Sequence, residues 1–223
     1  MKLVRYSAVE LLVALGFLFI ATPFVEDMRN GDLVEAVLLS LVMIFAVLAV
    51  GGRRRSLIVA LVLLVPALAG KWLNHLRPDL LHPAIYLTAV ILFFLFVVAR
   101  LLVFIVRAER VNANVLCAGV AGFLMLGIVW ATAYLTVARL DPTAFSVPGA
   151  PGAAAVLDAF SAFYFSFITL CTVGYGDIAP VSNMARMLAL LEAITGLFYM
   201  AVLISRLVSL YSAPQPADGN SAK

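Results

Sequence analysis

Long apolar segments with few polar interruptions follow one another along most of this chain. A helix rises about 1.5 Å per residue, so roughly 20 apolar residues cross the roughly 30 Å hydrocarbon core of a bilayer. The pattern predicts membrane-spanning helices at residues 7–24, 34–50, 56–73, 83–106, 113–137 and 183–211. The third segment is the weakest, because its continuous apolar run stops at Gly70, and a buried half-helix is an alternative there.

A seventh apolar segment, at about residues 158–171, is too short to span and is predicted to be a re-entrant pore helix. It runs directly into the polar loop Thr172-Val173-Gly174-Tyr175-Gly176-Asp177. Before it, residues 143–155 are rich in Pro, Gly and Ala and are predicted to form an outer loop. Residues 212–223 have the composition of a short disordered cytoplasmic tail.

Composition agrees with this pattern and narrows the class of protein. Of 223 residues, 65% are hydrophobic and only 12% are charged, which is typical of a membrane protein. The expected fold is therefore an all-α membrane protein without a separate soluble domain. No spaced His, Asp or Cys cluster and no nucleophile motif occurs among the spans, so we expect neither an enzyme nor a bound cofactor. The two cysteines give no disulfide framework.

The distribution of charge predicts an orientation with both termini in the cytoplasm, because cytoplasmic loops collect Lys and Arg. Under this topology the basic residues inside are Lys2, Arg5, Arg53, Arg54, Arg55, Arg107, Arg110 and Lys223, and those outside are Arg29, Lys71, Arg77, Arg139 and Arg186. Acidic residues show the opposite bias, with Glu26, Asp27, Asp32, Glu35, Asp79, Asp141, Asp158 and Asp177 outside. We expect an integral protein of a bacterial inner membrane. A cleavable signal peptide is the alternative at the N-terminus, although Glu10 interrupts its apolar run.

The loop at residues 172–177 suits the coordination of a potassium ion by backbone oxygens. A dehydrated ion needs rings of carbonyls, and carbonyls that point the same way require backbone angles that Gly174 and Gly176 allow. Thr172 can add a hydroxyl oxygen at the inner end. One strand cannot encircle an ion, so the chemistry implies about four copies around an axis.

Residues 163–180, Phe-Tyr-Phe-Ser-Phe-Ile-Thr-Leu-Cys-Thr-Val-Gly-Tyr-Gly-Asp-Ile-Ala-Pro, resemble the pore signature of the tetrameric potassium channels. The resemblance implies a homotetrameric pore formed by the last two helices and the loop between them. It implies that the ion sites are lined by Thr172, Val173, Gly174, Tyr175 and Gly176, with Asp177 at the outer mouth. The first four helices resemble the six-helix members of this family only in number. The predicted domains are thus a peripheral domain at 1–110, a pore domain at 111–211 and the tail.

Two departures from the family pattern concern the support of the selectivity filter, which is the loop of residues 172–177 that would line the ion sites. Ile168 holds a position where many simple bacterial members have a Glu paired with the Asp after the filter. Phe165 occupies the second of two aromatic positions, where a Trp ring N–H often reaches that Asp. Asp177 must therefore be held by another group, and we expect slow loss of conduction during sustained activity.

The last helix carries an apolar stripe that predicts a gate. At 100° per residue Leu197, Met200, Ile204 and Val208 share one face, and the resemblance turns this face toward the ion pathway. A helix-packing surface is the alternative. Gly196 resembles the hinge glycine of the family, but a small residue for close helix packing explains it equally well.

Two charged residues of the last helix, Glu192 and Arg206, lie away from this stripe. Charge inside a membrane is costly and is usually paired or functional. Glu192 is level with the pore helix, so its carboxyl is predicted to support the filter from behind through Ser166 or Thr169, in its neutral form. A buried carboxyl without influence on conduction is the alternative.

The fourth helix lacks the repeated arginines of a voltage sensor, since Arg100 stands alone within it. We therefore expect weak or no voltage dependence. His75 and His82 are predicted to lie passively in an outer loop. The predicted function is passive, potassium-selective conduction, with a non-conducting regulatory subunit or a potassium transporter component as alternatives. The expected partners are further copies of the chain, membrane lipid and potassium ions, but no nucleic acid.

Overall fold

A computed structural model describes residues 8–26, 31–50, 54–77, 82–110, 112–147 and 157–211 of the chain. The elements are α1 (Ala8–Glu26), α2 (Gly31–Val50), α3 (Arg54–Leu76), α4 (Pro83–Val106), α5 (Ala113–Leu140), β1 (Phe145–Ser146), α6 (Ala159–Leu170), β2 (Ala179–Pro180) and α7 (Asn183–Tyr211). Within these ranges six helices, all except α6, are long and apolar enough to cross a membrane. The protein is an all-α membrane protein, and the prediction of six spanning helices is confirmed.

Parts of the sequence-based interpretation lie outside the described residues. These are the predicted tail at 212–223, most of the predicted outer loop, and, from the charge argument, Lys2, Arg5, Asp27, Arg29, Arg53, Asp79 and Lys223. The orientation of the termini therefore stays a prediction, and so does the choice between a spanning helix and a cleavable signal peptide at the N-terminus.

Helix α3 is continuous over 23 residues, so the alternative of a buried half-helix is wrong. The helix continues past Gly70 because the polar residues of its last turns find partners on α2. Lys71 Nζ lies 2.8 Å from Glu35 Oε1, and Trp72 Nε1 donates to Ser40 Oγ over 3.2 Å. An ion pair and a hydrogen bond within the bundle offset the cost of placing these groups in an apolar environment.

His75 lies in a helix, which corrects its sequence-based placement, whereas His82 lies before the start of α4, as predicted for a loop residue. His75 belongs to the last turn of α3, where its ring packs edge-on against Trp72. His82 is the N-cap of α4, and its Nδ1 accepts a hydrogen bond from the Ala84 backbone N–H at 3.3 Å. An N-cap side chain satisfies a helix donor that has no partner within the helix.

Helix α5 lies at the centre of the fold. It is 67% buried over its spanning window, whereas α7 is 17% buried in the single chain. Helices α1, α4, α6 and α7 all pack on α5, so the first four helices share a continuous core with the last part of the chain. The division into domains at residue 110 stays a prediction.

Small residues of α5 allow this close packing. A Cβ added at Gly127 would overlap with the ring of Phe167 on α6, and one at Gly122 would overlap with the hydroxyl of Tyr199 on α7. That hydroxyl donates to the Gly119 carbonyl over 2.7 Å. Small residues at helix contacts are a common feature of packing in membranes, where close approach takes the place of a hydrophobic driving force.

Candidate functional site

The short helix α6 places the loop that the sequence singled out. Asp158 caps its N-terminus, with Oδ1 accepting from the Ser161 N–H at 2.7 Å. Its 12 residues cover about 18 Å, which is less than the apolar core of a bilayer. The helix ends at Leu170, and the loop of residues 172–177 follows at once.

The backbone of this loop alternates in handedness. Among the described residues that are not glycine, only Thr172 has a positive φ, of 57°, while Gly174 and Gly176 have φ of 55° and 79°. Val173 and Tyr175 lie between them without positive φ. Successive residues of opposite handedness turn their N–H groups to one side of the chain, and the carbonyls consequently face the other side. The sequence indicated this role for the two glycines but not for Thr172.

The N–H side of the loop faces α6. Thr172 donates to the Thr169 carbonyl over 2.9 Å, and Val173 and Gly174 both donate to the Ile168 carbonyl, over 2.8 and 3.2 Å. Residues 171–177 are exposed in the single chain, with Tyr175 at 73%. The carbonyl groups of the loop thus face away from α6, on the exposed side of the strand.

Asp177 has a partner that the sequence interpretation missed. The pKa of the Tyr164 hydroxyl is raised, and hydrogen bonding to the Asp177 carboxylate is the first cause. The donor thus belongs to the first aromatic position of the pair, not to the second, where Phe165 was taken as the loss of a donor. Phe165 offers no donor, as expected, and Tyr164 is the other group that the sequence left unidentified. The slow loss of conduction stays a prediction.

Phe165 and Ile168 have other roles. The Phe165 side chain is buried, with ring centroids 4.9 Å from Tyr134 and 5.7 Å from Phe145 in edge-on contacts. Ile168 is also buried, and its backbone carbonyl is the acceptor for the loop. Both residues contribute packing or a backbone group, and neither offers a polar side chain to Asp177.

Glu192 on α7 is fully buried and lies behind the loop. Its Oε1 is 2.5 Å from Ser166 Oγ, and its Oε2 is 2.5 Å from the Tyr134 hydroxyl. Ser166 Oγ is also 2.8 Å from the carbonyl of Gly127. The predicted contact with Ser166 is present, whereas Thr169 is not among the hydrogen-bond partners. Tyr134 was missed because no local spacing links it to a residue so far along the chain.

The segment after the loop is pinned to the end of α5. Strands β1 and β2 pair antiparallel, with Phe145 opposite Pro180, and the Val181 N–H donates to the Ala144 carbonyl over 2.8 Å. Arg186 Nε donates to the Pro180 carbonyl over 3.3 Å. The loop is therefore anchored at both of its ends, by α6 before it and by this strand pair after it.

The apolar stripe of α7 is exposed in the single chain, which holds for Leu197, Met200, Ile204 and Val208. Gly196 lies on another face, where a Cβ would overlap with the Leu170 carbonyl at the end of α6. This contact favours close packing as the reason for the glycine, and the hinge stays a prediction. Arg206 donates from Nη2 to the Ala108 carbonyl over 2.6 Å, and so joins α7 to the turn after α4.

Comparison with known proteins matches the same region. A family model described as an ion channel covers residues 122–213, which contain most of α5 and all of α6, the loop and α7. Over residues 122–213 this chain is thus similar to ion channels, and the curated proteins that it matches include potassium channels. Among curated proteins, a two-pore potassium channel of Arabidopsis thaliana is 44% identical over 48 residues. A calcium-gated potassium channel of Thermoplasma volcanium is 43% identical over 44 residues, and a voltage-gated potassium channel of Escherichia coli is 51% identical over 41 residues.

These similarities are local. They cover 22%, 20% and 18% of this chain and 17%, 13% and 10% of the respective relatives. The first four helices of this chain lie outside the family match. No solved structure matches the chain at a significant level.

Proposed function

We propose that this chain forms a homotetrameric, potassium-selective channel that conducts K⁺ passively through its ion channel domain. The observation that carries the proposal is the backbone of residues 172–177, which alternates in handedness and whose first three N–H groups are bonded to carbonyls of α6. A strand of this kind offers its carbonyl oxygens on one side. Four such strands around an axis would replace the hydration shell of an ion without binding it irreversibly.

In this proposal Thr172, Val173, Gly174, Tyr175 and Gly176 line the ion sites, with Asp177 at the outer mouth. The Tyr164 hydroxyl holds Asp177, and the fixed position of the carboxylate places negative charge at the entrance. An acidic entrance raises the local concentration of cations. K⁺ is the permeant substrate, and the conduction step needs no resident cofactor.

The exposed surface of a single chain supports assembly. The loop and most of α7 have few partners within the chain, although α7 is strongly apolar. Large exposed apolar surfaces on membrane helices are covered by lipid or by other helices, and a polar loop at membrane depth needs a protein or water-filled surrounding. A tetramer with α7 toward the axis provides both, and it turns the stripe of Leu197, Met200, Ile204 and Val208 toward the pore as an apolar gate.

Glu192 supports the filter in its neutral form. Three hydrogen bonds meet here and need three protons. They join Gly127 O to Ser166 Oγ, Ser166 Oγ to Glu192 Oε1, and Glu192 Oε2 to the Tyr134 hydroxyl. The two hydroxyls supply one each, so the third belongs to the carboxyl of Glu192. Tyr134 then donates to Oε2, the carboxyl donates to Ser166, and Ser166 donates to Gly127. This chain of bonds joins α5, α6 and α7 directly behind the loop.

The proposed channel opens and closes with little dependence on voltage. Arg100 is the one basic residue within α4, and a single charge that moves through the whole field changes the gating energy by only about 2.3 kcal/mol per 100 mV. The proposed location is a bacterial inner membrane with both termini in the cytoplasm.

The test is ion flux into liposomes that contain the purified full chain. We expect K⁺ uptake down its gradient, little Na⁺ uptake, and a weak response to an imposed potential. Gly174→Ala should abolish the flux, because φ of 55° strains any residue with a Cβ, while the oligomer persists. Gly16→Ala is the matched control, since a Cβ there meets nothing within 4 Å.

Two outcomes would contradict the proposal. Tetramers without any flux would favour a non-conducting regulatory subunit. Accumulation of K⁺ against its gradient would favour a transporter component.

A further inference from the structure

A cavity of about 730 Å³ lies between the first four helices and the channel domain. It is located at the end of the bundle where α5 ends and α6 begins, and residues from each of the helices α1 to α6 line it. We call it the filter-end cavity. Its volume falls within the range of roughly 300–1,000 Å³ that is typical of small-molecule sites.

The lining changes from charged to apolar with depth. Glu35, Lys71, Arg139 and Asp158 lie toward helix ends, and we call this charged end of the cavity its mouth. Farther from these helix ends most lining residues are apolar, with Thr22 and Thr132 as exceptions, and Ile128 on α5, for example, precedes Arg139 by about three turns. The deep residues are Leu18, Leu38, Val90, Ile128 and Phe163. A cavity with a polar mouth and an apolar base fits an amphiphile better than it fits an ion or a sugar.

The charges at the mouth indicate which charge the head group of a bound amphiphile should carry. Lys71 is paired with Glu35, and the Asp158 carboxylate accepts hydrogen bonds from the Ser161 N–H and hydroxyl. Within the part of the chain that the structure describes, Arg139 has no carboxylate partner and its side chain is exposed. Its guanidinium is thus available to an anionic group, for which its planar set of donors is well suited.

We propose that the filter-end cavity binds an anionic amphiphile, with one apolar chain along the deep wall and a carboxylate or phosphate at Arg139. A free fatty acid and one chain of an anionic phospholipid share this chemistry.

The ligand would contact the helix that holds the filter. Phe163 on α6 lies in the wall of the cavity, and its ring centroid is 4.7 Å from Phe19 of α1 and 4.8 Å from Phe167. Phe167 in turn packs against Gly127 of α5. Occupancy of the cavity therefore acts on α6, and a change in K⁺ flux is the expected consequence, which rests on the proposed function.

Binding can be measured without any flux. The chain has two tryptophans, and Trp130→Phe leaves Trp72, which packs against the cavity residue His75. We expect dibromostearate, added to this variant in non-ionic detergent, to quench the fluorescence of Trp72 with a saturable curve. Oleate should displace it, whereas oleyl alcohol, which has the same chain without the charge, should compete at least roughly tenfold more weakly.

Arg139→Gln should raise the Kd for dibromostearate by roughly tenfold or more, the usual effect of losing a charge-assisted hydrogen bond. Arg77→Gln is the matched control, because it removes the same charge from the end of α3 without lining the cavity. Competition by phosphatidylglycerol would identify a phospholipid as the ligand, and competition by oleate alone would identify a free fatty acid.

Three results would overturn the proposed site. They are non-saturable quenching, equal Kd values for dibromostearate in Arg139→Gln and Arg77→Gln, and competition by oleyl alcohol equal to that by oleate. Saturable binding with unchanged K⁺ flux in liposomes would keep the site and overturn its action on α6. Absence of K⁺ flux in every preparation would instead count against the proposed function, since the binding assay does not depend on it.

Discussion

The Ser166 hydroxyl lies 2.5 Å from the Glu192 carboxyl, so the helix that precedes the filter loop is bonded to the last membrane helix of the same chain. The Tyr134 hydroxyl on α5 occupies the other oxygen of that carboxyl, also at 2.5 Å. Three helices thus meet at one buried side chain. Because the filter loop begins directly after α6, this cluster fixes the helix on which the loop depends.

Replacement of Glu192 should show whether its carboxyl acts in the neutral or in the ionised form. Glu192→Gln keeps one acceptor for Tyr134 and one donor for Ser166, so we expect a thermal stability of the oligomer close to that of the wild type. Glu192→Leu leaves the buried Tyr134 hydroxyl without its partner, at a cost of about 1–3 kcal/mol, while Ser166 keeps its bond to the Gly127 carbonyl. The measurement is the loss of tetramer on heating in detergent, together with K⁺ over Na⁺ selectivity in liposomes.

Glu10→Gln is the control for the change of charge, because Glu10 is exposed on α1. An oligomer of Glu192→Gln as unstable as that of Glu192→Leu would show that the carboxyl acts as an anion. Equal stability of Glu192→Leu and the wild type would remove the bracing role altogether.

Gly196→Ala tests whether this glycine is a packing position or a hinge. The new methyl group would overlap with the Leu170 carbonyl at the end of α6, so we expect a less stable oligomer and reduced K⁺ selectivity. Gly16→Ala places a methyl group where nothing lies within 4 Å, and should be neutral or stabilising by up to about 1 kcal/mol. A hinge role predicts instead that Gly196→Ala assembles normally and that only its open probability, in single-channel recordings, changes.

The hydrogen bond between Tyr164 and Asp177 predicts a response to alkaline pH. This bond raises the pKa of Tyr164 above its ordinary value of 10.0. Its contribution to stability is therefore fully present below about pH 10 and is lost as the pH rises through the higher pKa of the folded state. We expect the folded protein to hold a tyrosine that ionises later than free tyrosine in an absorbance titration.

Tyr164→Phe should reduce the amplitude of the late ionisation by one tyrosine and, at neutral pH, should shorten the period of sustained K⁺ conduction. An unchanged titration and unchanged conduction in Tyr164→Phe would leave Asp177 without its proposed support.

Cysteine labelling tests the gate. In a background without Cys117 and Cys171, we expect Met200→Cys and Ile204→Cys to react with a thiol reagent from the inner side only when the pore is open. Leu203→Cys is the matched control, because the Leu203 side chain packs against Gly119 of α5. Equal labelling of positions 200, 203 and 204 would contradict an assembly in which the exposed stripe lines a pore.

The sequence by itself determined the spanning helices, because their apolar runs must match the thickness of a bilayer. The predicted ranges 83–106 and 183–211 coincide with α4 and α7, and the other helices differ from their predicted ends by a few residues. It also determined where the backbone can take positive φ, since Gly174 and Gly176 accept such angles at little cost.

Only the tertiary structure decided which polar groups meet. Tyr134 and Glu192 are 58 residues apart, and helical periodicity gives the face of a residue but not its partner on another helix. For the same reason the continuation of α3 depended on Glu35 of α2, which pairs with Lys71. The support of Asp177 likewise depended on which of two adjacent aromatic side chains turned toward it. Apolar length is a local property of the chain, whereas the satisfaction of buried polar groups depends on how its helices pack.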